Sequence, residues 1–214
     1  MTSVTVIPDA VAAAARWRLL ALLFERPRPG WSDEVSALAR ELPDPGLRAV
    51  ARAAAAATEG EYLGLLGPGG LVSPREVGHR GMSDPGWVLA DVIRYYGAFG
   101  YAPRSEDPVD HVAVESGFVA YLHLKEALAL SSADAEAAEV TRAARDSFVR
   151  DHLAHLAGAL ARRLASVGET PLASAAGALA AGIPGCDRTV VDQEEVDPLA
   201  DGCGACVGTA ASRG

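Results

Sequence analysis

The abundance of alanine is what most limits how this chain can fold. Half of the residues are hydrophobic, but alanine supplies so many of them that few large side chains remain to fill a core. Such a core is built by close contacts between helices around those few large side chains, which favours an all-α fold. At 214 residues the chain fits one large domain or two small ones, and a compact fold of this size buries roughly 70% of the surface of the unfolded chain.

Proline, glycine and capping residues divide the sequence into helical stretches. Asp9 is positioned to cap a helix carrying Val11, Ala15, Leu19, Leu22 and Leu23, which ends at Pro27, Pro29 and Gly30. Ser32 opens a second with Val35, Leu38, Ala39 and Leu42 as its stripe, and a third runs from about Leu47 to Ala57. Residues 59–80 begin with a short helical turn and become Gly/Pro-punctuated, which predicts an ordered surface crossing. Asp84 with Pro85 starts a helix whose inward face is Leu89, Val92, Ile93 and Tyr96. Asp107 with Pro108 starts another ending near Leu130, and Ser131/Ser132 open a pattern that reaches Val167, long for a globular helix. Thr170 with Pro171 starts the last, which Gly182–Gly185 ends. The expectation is one helical domain over residues 1–185 and an acidic, largely disordered, Cys-containing tail over 186–214.

The acids outnumber Lys+Arg by 28 to 19, giving a net charge of −9, and Lys125 is the only lysine. No concentrated basic face is evident, which argues against nucleic acid and for basic peptides as partners. There is no strongly apolar run long enough to span a membrane and no basic, cleavable leader, so the expected location is the cytoplasm. Asparagine is absent and only three cysteines occur, consistent with a reducing compartment.

The stretch DPVDHVAVESGFVAYL, residues 107–122, concentrates chemistry. Asp110 is expected in the first helical turn, where a carboxylate complements the helix dipole by about 0.3–1 kcal/mol. His111 and Glu115 stand one turn apart and could pair, with Val114, Phe118 and Leu122 turned to the core. Spacing leaves open a structural polar cluster and a binding or catalytic one. No nucleophile and base can be assigned beside it, which argues against a hydrolase. Gly67-Pro68-Gly69-Gly70 lacks the Lys-Ser/Thr and preceding strand of a phosphate loop and reads as a turn. His152 and His155 could share a helix face, but no Glu-x-x-His pair recurs on a second helix, so packing is the simpler reading.

Cys186, Cys203 and Cys206 are a separate candidate. The Cys203-x-x-Cys206 spacing suits zinc or an iron–sulfur cluster, yet a fourth ligand would have to be a histidine, a carboxylate or another chain. The alternatives are thiols prone to reversible oxidation, or a metal or redox protein that works through this tail.

Three stretches together resemble one family, the TorD/DmsD/NarJ-type redox-enzyme maturation chaperones. EYLGLLGPGGLVSPREVGHR supplies Tyr62, Leu66, Gly67, Pro68, Pro74 and Glu76. YYGAFGY and EDPVDHVAVESGFVAYL supply a Tyr-rich helix end and then Glu106, Pro108, Asp110, His111, Glu115, Phe118 and Leu122. FVRDHLAHL supplies Phe148, His152 and Leu153. The resemblance spans about residues 10–182. Val109 separates Pro108 from Asp110, which the common pattern keeps contiguous, and Leu156 stands near where many members carry tryptophan.

The resemblance implies an all-α, TorD-like, non-enzymatic cytoplasmic chaperone that needs no cofactor of its own. Its implied partner is the apo catalytic subunit of a molybdopterin-dependent oxidoreductase of the dimethyl sulfoxide reductase type, often bound through a twin-arginine leader until molybdenum cofactor is inserted. On that basis Asp110, Glu115 and Glu106 are expected to meet the leader's arginines. His111 would fix local geometry, and Tyr62, Tyr95, Tyr96 and Phe99 would line a groove for the apolar segment. Monomer and homodimer are both open, with the irregular 59–80 segment a candidate hinge for exchanging helices.

Overall fold

The computed structural model of the chain describes residues 3–184 and 186, with backbone alone for residues 3–6. Among them nine α-helices follow in order: α1 (Ser3–Leu23), α2 (Trp31–Glu41), α3 (Pro45–Ala54), α4 (Glu59–Leu66), α5 (Pro85–Phe99), α6 (Val112–Ser131), α7 (Ala135–Phe148), α8 (Ala154–Val167) and α9 (Pro171–Ala181). A short 3₁₀ turn, Glu76–His79, lies between α4 and α5, and a π turn, Val149–Leu153, joins α7 to α8. The described residues form no regular strand, and the all-α expectation holds. The stretch 187–214, expected as an acidic tail, lies outside the described residues.

Local chemistry accounts for most helix starts. The Asp84 side chain accepts from the Gly86 N–H ahead of α5, and Thr170 accepts from Ala173 ahead of α9, each with proline at the first helical position as expected. Proline there is preset to helical φ and gives up an N–H that would have had no intrahelical partner. Asp44 and Pro45 use the same device and start α3 earlier than expected. Thr58 and Glu61 form a reciprocal capping box, which makes the expected turn a full α4.

Other starts are displaced. The first helix runs through Pro8 from Ser3, so Asp9 is not its cap. Gly30, at φ 81°, precedes α2 in place of a Ser32 cap, a backbone conformation open to glycine without steric cost. Ser131 and Ser132 close α6, and Asp134 caps α7. His111, not Asp107, caps α6, because the chain before it is tied to residues 74–77. The long pattern to Val167 is interrupted by the π turn, whose wider winding shifts the helical register. With that shift Phe148, His152, Leu153 and Leu156 are all fully buried.

The central pair is α1 against α6, with α7 covering α6, and α8, α9, α3 and α2 packed in succession. Leu19, Leu20, Leu22 and Leu23 end α1 in the core, and Phe24 follows them there. Residues around most of the circumference of α6 are buried, including Val112, Val114, Phe118, Val119 and Leu122, as expected for a helix enclosed on several sides. Phe118 gathers Phe148 and Tyr96 at 4.8 Å and Tyr101 at 5.2 Å between ring centroids. The inward face of α5 is Val88, Val92 and Tyr96 at four-residue spacing. Ile93, one position off that row, is 54% exposed rather than inward.

Candidate functional site

Two segments distant in sequence meet at the start of α6. The Glu76 N–H donates to the Asp110 carbonyl and the Val112 N–H to the Pro74 carbonyl, both at 2.9 Å. These bonds form an isolated antiparallel bridge between Arg75 and His111. The Tyr96 hydroxyl donates to the Val109 carbonyl at 2.9 Å and ties α5 to the same junction. The 59–80 segment is therefore more than a surface crossing, since Val72 and Glu76 are buried.

A network of ionisable side chains lies within the fold at this junction. Glu76, Asp110, Glu115 and His152 are each 0% exposed. Asp110 accepts from Arg75 Nε at 2.9 Å and from the Val77 N–H at 3.3 Å. Glu76 accepts from Arg80 Nε at 2.6 Å and faces His152 Nδ1 at 3.0 Å, while His152 Nε2 faces Asp91 at 3.2 Å. Arg80 also reaches the Asp151 carbonyl in the π turn. Burial alone would raise Glu76, but the hydrogen bond and charge of His152, together with Arg80, outweigh it and leave the carboxyl below its ordinary value.

Glu115 goes the other way. Burial first, then the neighbouring Glu76 and Asp110 carboxylates, push its carboxyl well above the ordinary range. No protein donor reaches either oxygen. Its contact is with the Glu76 carboxylate, and a proton on Glu115 turns that contact into a hydrogen bond.

The expected His111–Glu115 pair does not form. His111 Nδ1 accepts from the Ala113 N–H at 3.1 Å, which places the ring proton on Nε2, 3.4 Å from the Tyr62 hydroxyl. Burial lowers the affinity of His111 for a second proton. The ring is a neutral donor aimed at Tyr62.

Beside this junction lies an open groove of roughly 1950 Å³, lined by parts of α1, α4 and α6 and by the loops around residues 67–75 and 100–108. Pockets for small molecules typically enclose about 300–1,000 Å³, so the groove has room for a peptide segment. Its apolar lining includes Val11, Leu63, Leu66, Tyr101, Tyr121 and Leu124. Arg18 pairs with Glu25 and Arg26 with Glu59 along its edge, and Arg75, Arg104, Glu106 and Asp107 also line it.

Of the residues expected to meet a client, Tyr62, Glu106 and His111 line the groove. Asp110 is not in the first turn of α6, and neither it nor Glu115 presents a carboxylate to a partner, since both are enclosed. Tyr95, Tyr96 and Phe99 are packed behind the groove rather than along it. Tyr95 meets Phe148 and His152 edge-on, Tyr96 packs on Phe118, and the Phe99 carbonyl accepts from Tyr121 and Lys125. Sequence reasoning missed Arg75, Arg80, Asp91, Tyr101 and Tyr121. Arg80 was discoverable, standing four residues after Glu76 at salt-bridge spacing.

Cys186 is buried against α8 with its Sγ 3.7 Å from the Ala154 carbonyl, while Cys203 and Cys206 lie outside the described residues. Among the described residues no group of three or more His, Cys, Asp or Glu side chains could hold a metal ion, and no helix is long and apolar enough to cross a membrane.

A family model of the nitrate reductase delta subunit matches residues 28–162. No curated protein and no solved structure matches the chain. The matched span runs from before α2 into α8 and contains the whole buried network and the junction at α6. The family consists of chaperones, not catalysts, that serve the maturation of molybdoenzymes and bind nitrate reductase-type catalytic subunits. With well over half of its length matched, the chain belongs to the nitrate reductase delta subunit family.

Proposed function

We propose that this chain is a cytoplasmic chaperone dedicated to one molybdoenzyme. It holds the apo catalytic subunit, by a leader peptide or by the region through which cofactor enters, until molybdenum cofactor is inserted and export or assembly can follow. The observation that carries this reading is the groove, which is larger than a small-molecule pocket and carries the exposed side chains of Val11 and Leu124 beside half-buried Leu63, Tyr101 and Tyr121. Tyr62, Glu106, Pro108 and His111, all in the motif stretches, lie on its lining. A net charge of −9 favours encounter with a basic client segment.

The test is affinity purification of the tagged chain from its native host under anaerobic, low-salt conditions, with mass spectrometry of co-eluting chains. Leu124, 52% exposed within the groove, gives the control. The expected result is a molybdopterin-enzyme catalytic subunit captured by the parent and depleted with Leu124→Glu. Capture of no such subunit would overturn the reading.

A further inference from the structure

The polar chemistry facing the groove differs from what the acidic motif suggests. Two of the three acids expected to meet arginines are withdrawn, leaving only Glu106 on the lining: Asp110 is enclosed and engaged by Arg75 and the Val77 N–H, and Glu115 is enclosed against Glu76. Donors stand on the lining instead, Tyr62 at 5% exposure with its ring against the groove and Arg104 exposed. Because the Ala113 N–H occupies His111 Nδ1, Nε2–H is the atom directed at the Tyr62 oxygen. Tyr62 therefore receives a hydrogen bond from within and keeps its own O–H proton for another acceptor. Burial, helped by the Asp107 charge, holds that proton firmly on the phenol. Arg75 is anchored through Nε to Asp110 while its side chain remains 39% exposed, and its terminal guanidinium nitrogens make no hydrogen bond among the described residues. Arg104, also on the lining, makes no ion pair among the described residues.

We infer that the groove holds a client peptide through the peptide's oxygen acceptors, with Tyr62, Arg75 and Arg104 as the donors, and not through the peptide's arginines. The inference rests on the peptide-holding reading and names the chemistry of the segment. Glu106 and Asp107 on the same lining offset Arg104 and Arg75, so the local field does not by itself call for a cationic occupant. A segment lacking its native partners presents main-chain carbonyls and carboxylates that need donors once water is excluded, which apolar walls do here. The buried Asp110 and His111 are then positioning residues: one aims Arg75 and the other sets the direction of the Tyr62 proton.

The experiment uses the full chain and three fluorescent 12-residue peptides of Leu, Ala and Ser, centred on two Asp, two Ser or two Arg residues, read by fluorescence anisotropy. Tyr62→Phe removes only the hydroxyl and should weaken binding of the Asp and Ser peptides roughly fivefold, the effect of one hydrogen bond. Tighter binding of the Asp peptide than the Ser peptide, lost with Arg104→Gln or Arg75→Gln, identifies a carboxylate acceptor. Equal binding of the two, with both weakened by Tyr62→Phe, identifies main-chain carbonyls. Circular dichroism checks the fold of each variant, and Arg104→Gln, at an exposed position, keeps the test decisive if Tyr62→Phe unfolds. The Arg peptide binding most tightly, affinities indifferent to both Tyr62→Phe and Arg104→Gln, or no peptide binding would each overturn the inference. In those cases capture of a catalytic subunit from the host would still stand for the chaperone reading, so the two fail separately.

Discussion

The carboxyl of Glu115 lies against the carboxylate of Glu76, with both side chains at 0% exposure in the interior of the helical body. The two are shifted in opposite directions, Glu115 up and Glu76 down, so one acts as a proton donor and the other as a charge. Glu76 is compensated by Arg80 and His152, whereas Glu115 has no cationic partner of its own.

That asymmetry gives opposite pH signs. A carboxyl whose folded value is raised contributes stability that is complete below its unfolded value, about 4.3, and lost as pH rises toward the folded value. Glu115→Gln supplies a permanent N–H donor in place of that proton. Its melting temperature, relative to the parent, should therefore rise between pH 4 and pH 8. Glu76 is lowered, so its contribution is present above the unfolded value and lost as pH falls through the folded one. Glu76→Gln should be destabilised at pH 7, and its deficit should shrink under acid. Thermal unfolding across this range checks both slopes, and parallel curves for parent and Glu115→Gln would refute the shared-proton picture.

Arg80 joins Glu76 to the Asp151 carbonyl, so it connects the 3₁₀ turn with the π turn. Removing one member of a buried pair strands the other, at a cost of roughly 3–5 kcal/mol. Arg80→Ala should fall near the lower end because its side chain retains 13% exposure. In urea denaturation the double variant Arg80→Ala/Glu76→Gln should recover part of that loss. Strict additivity would mean that the pair is not coupled in the folded state.

What sequence could show and what it could not divides along the range of the interactions. Asp84-Pro85 and Thr170-Pro171 are legible because cap and proline act within a single turn. The π turn is hidden because one wider turn leaves the run of apolar residues from α7 into α8 uninterrupted. Periodicity places Glu115 on a helix but not in the one helix enclosed on nearly every side, so a surface role was the natural expectation. Asp110 was misplaced for a related reason: the bonds that tie 108–112 to 74–76 span more than thirty residues, and no local pattern announces them. The same pairing put Arg75 beside the groove. Tyr95, Tyr96 and Phe99 were expected to line the groove, but helix rotation turns them toward Phe118 and Phe148.

Cys186 offers a test of where the helical body ends. A Cβ added to Gly158 would stand 3.1 Å from both the Cys186 carbonyl oxygen and its Sγ. Gly158→Ala must push residue 186 off α8 by a few tenths of an ångström or more, an overpacking cost of about 1–3 kcal/mol. In a Cys203→Ser/Cys206→Ser background, the remaining thiol should react slowly with Ellman's reagent in the parent and several-fold faster with Gly158→Ala. Equal rates would show that Cys186 is accessible without displacement.

Asp110 provides the most discriminating substitution because its two readings predict different failures. Were it a surface contact for a client's arginine, Asp110→Lys would leave a folded protein with weakened binding. Its enclosure and its bonds to Arg75 and Val77 predict otherwise. A lysine there would bring an unpaired charge against Arg75 and forfeit the Val77 bond, costing about 3–5 kcal/mol or more, a large share of the stability of a typical domain. Asp110→Asn retains an oxygen for one of the two donors and loses the charge, for about 1.5–3 kcal/mol. Circular dichroism melts should therefore rank the parent above Asp110→Asn and Asp110→Asn far above Asp110→Lys. A stably folded Asp110→Lys protein that has lost only its client would return Asp110 to the binding surface and remove its role in aiming Arg75.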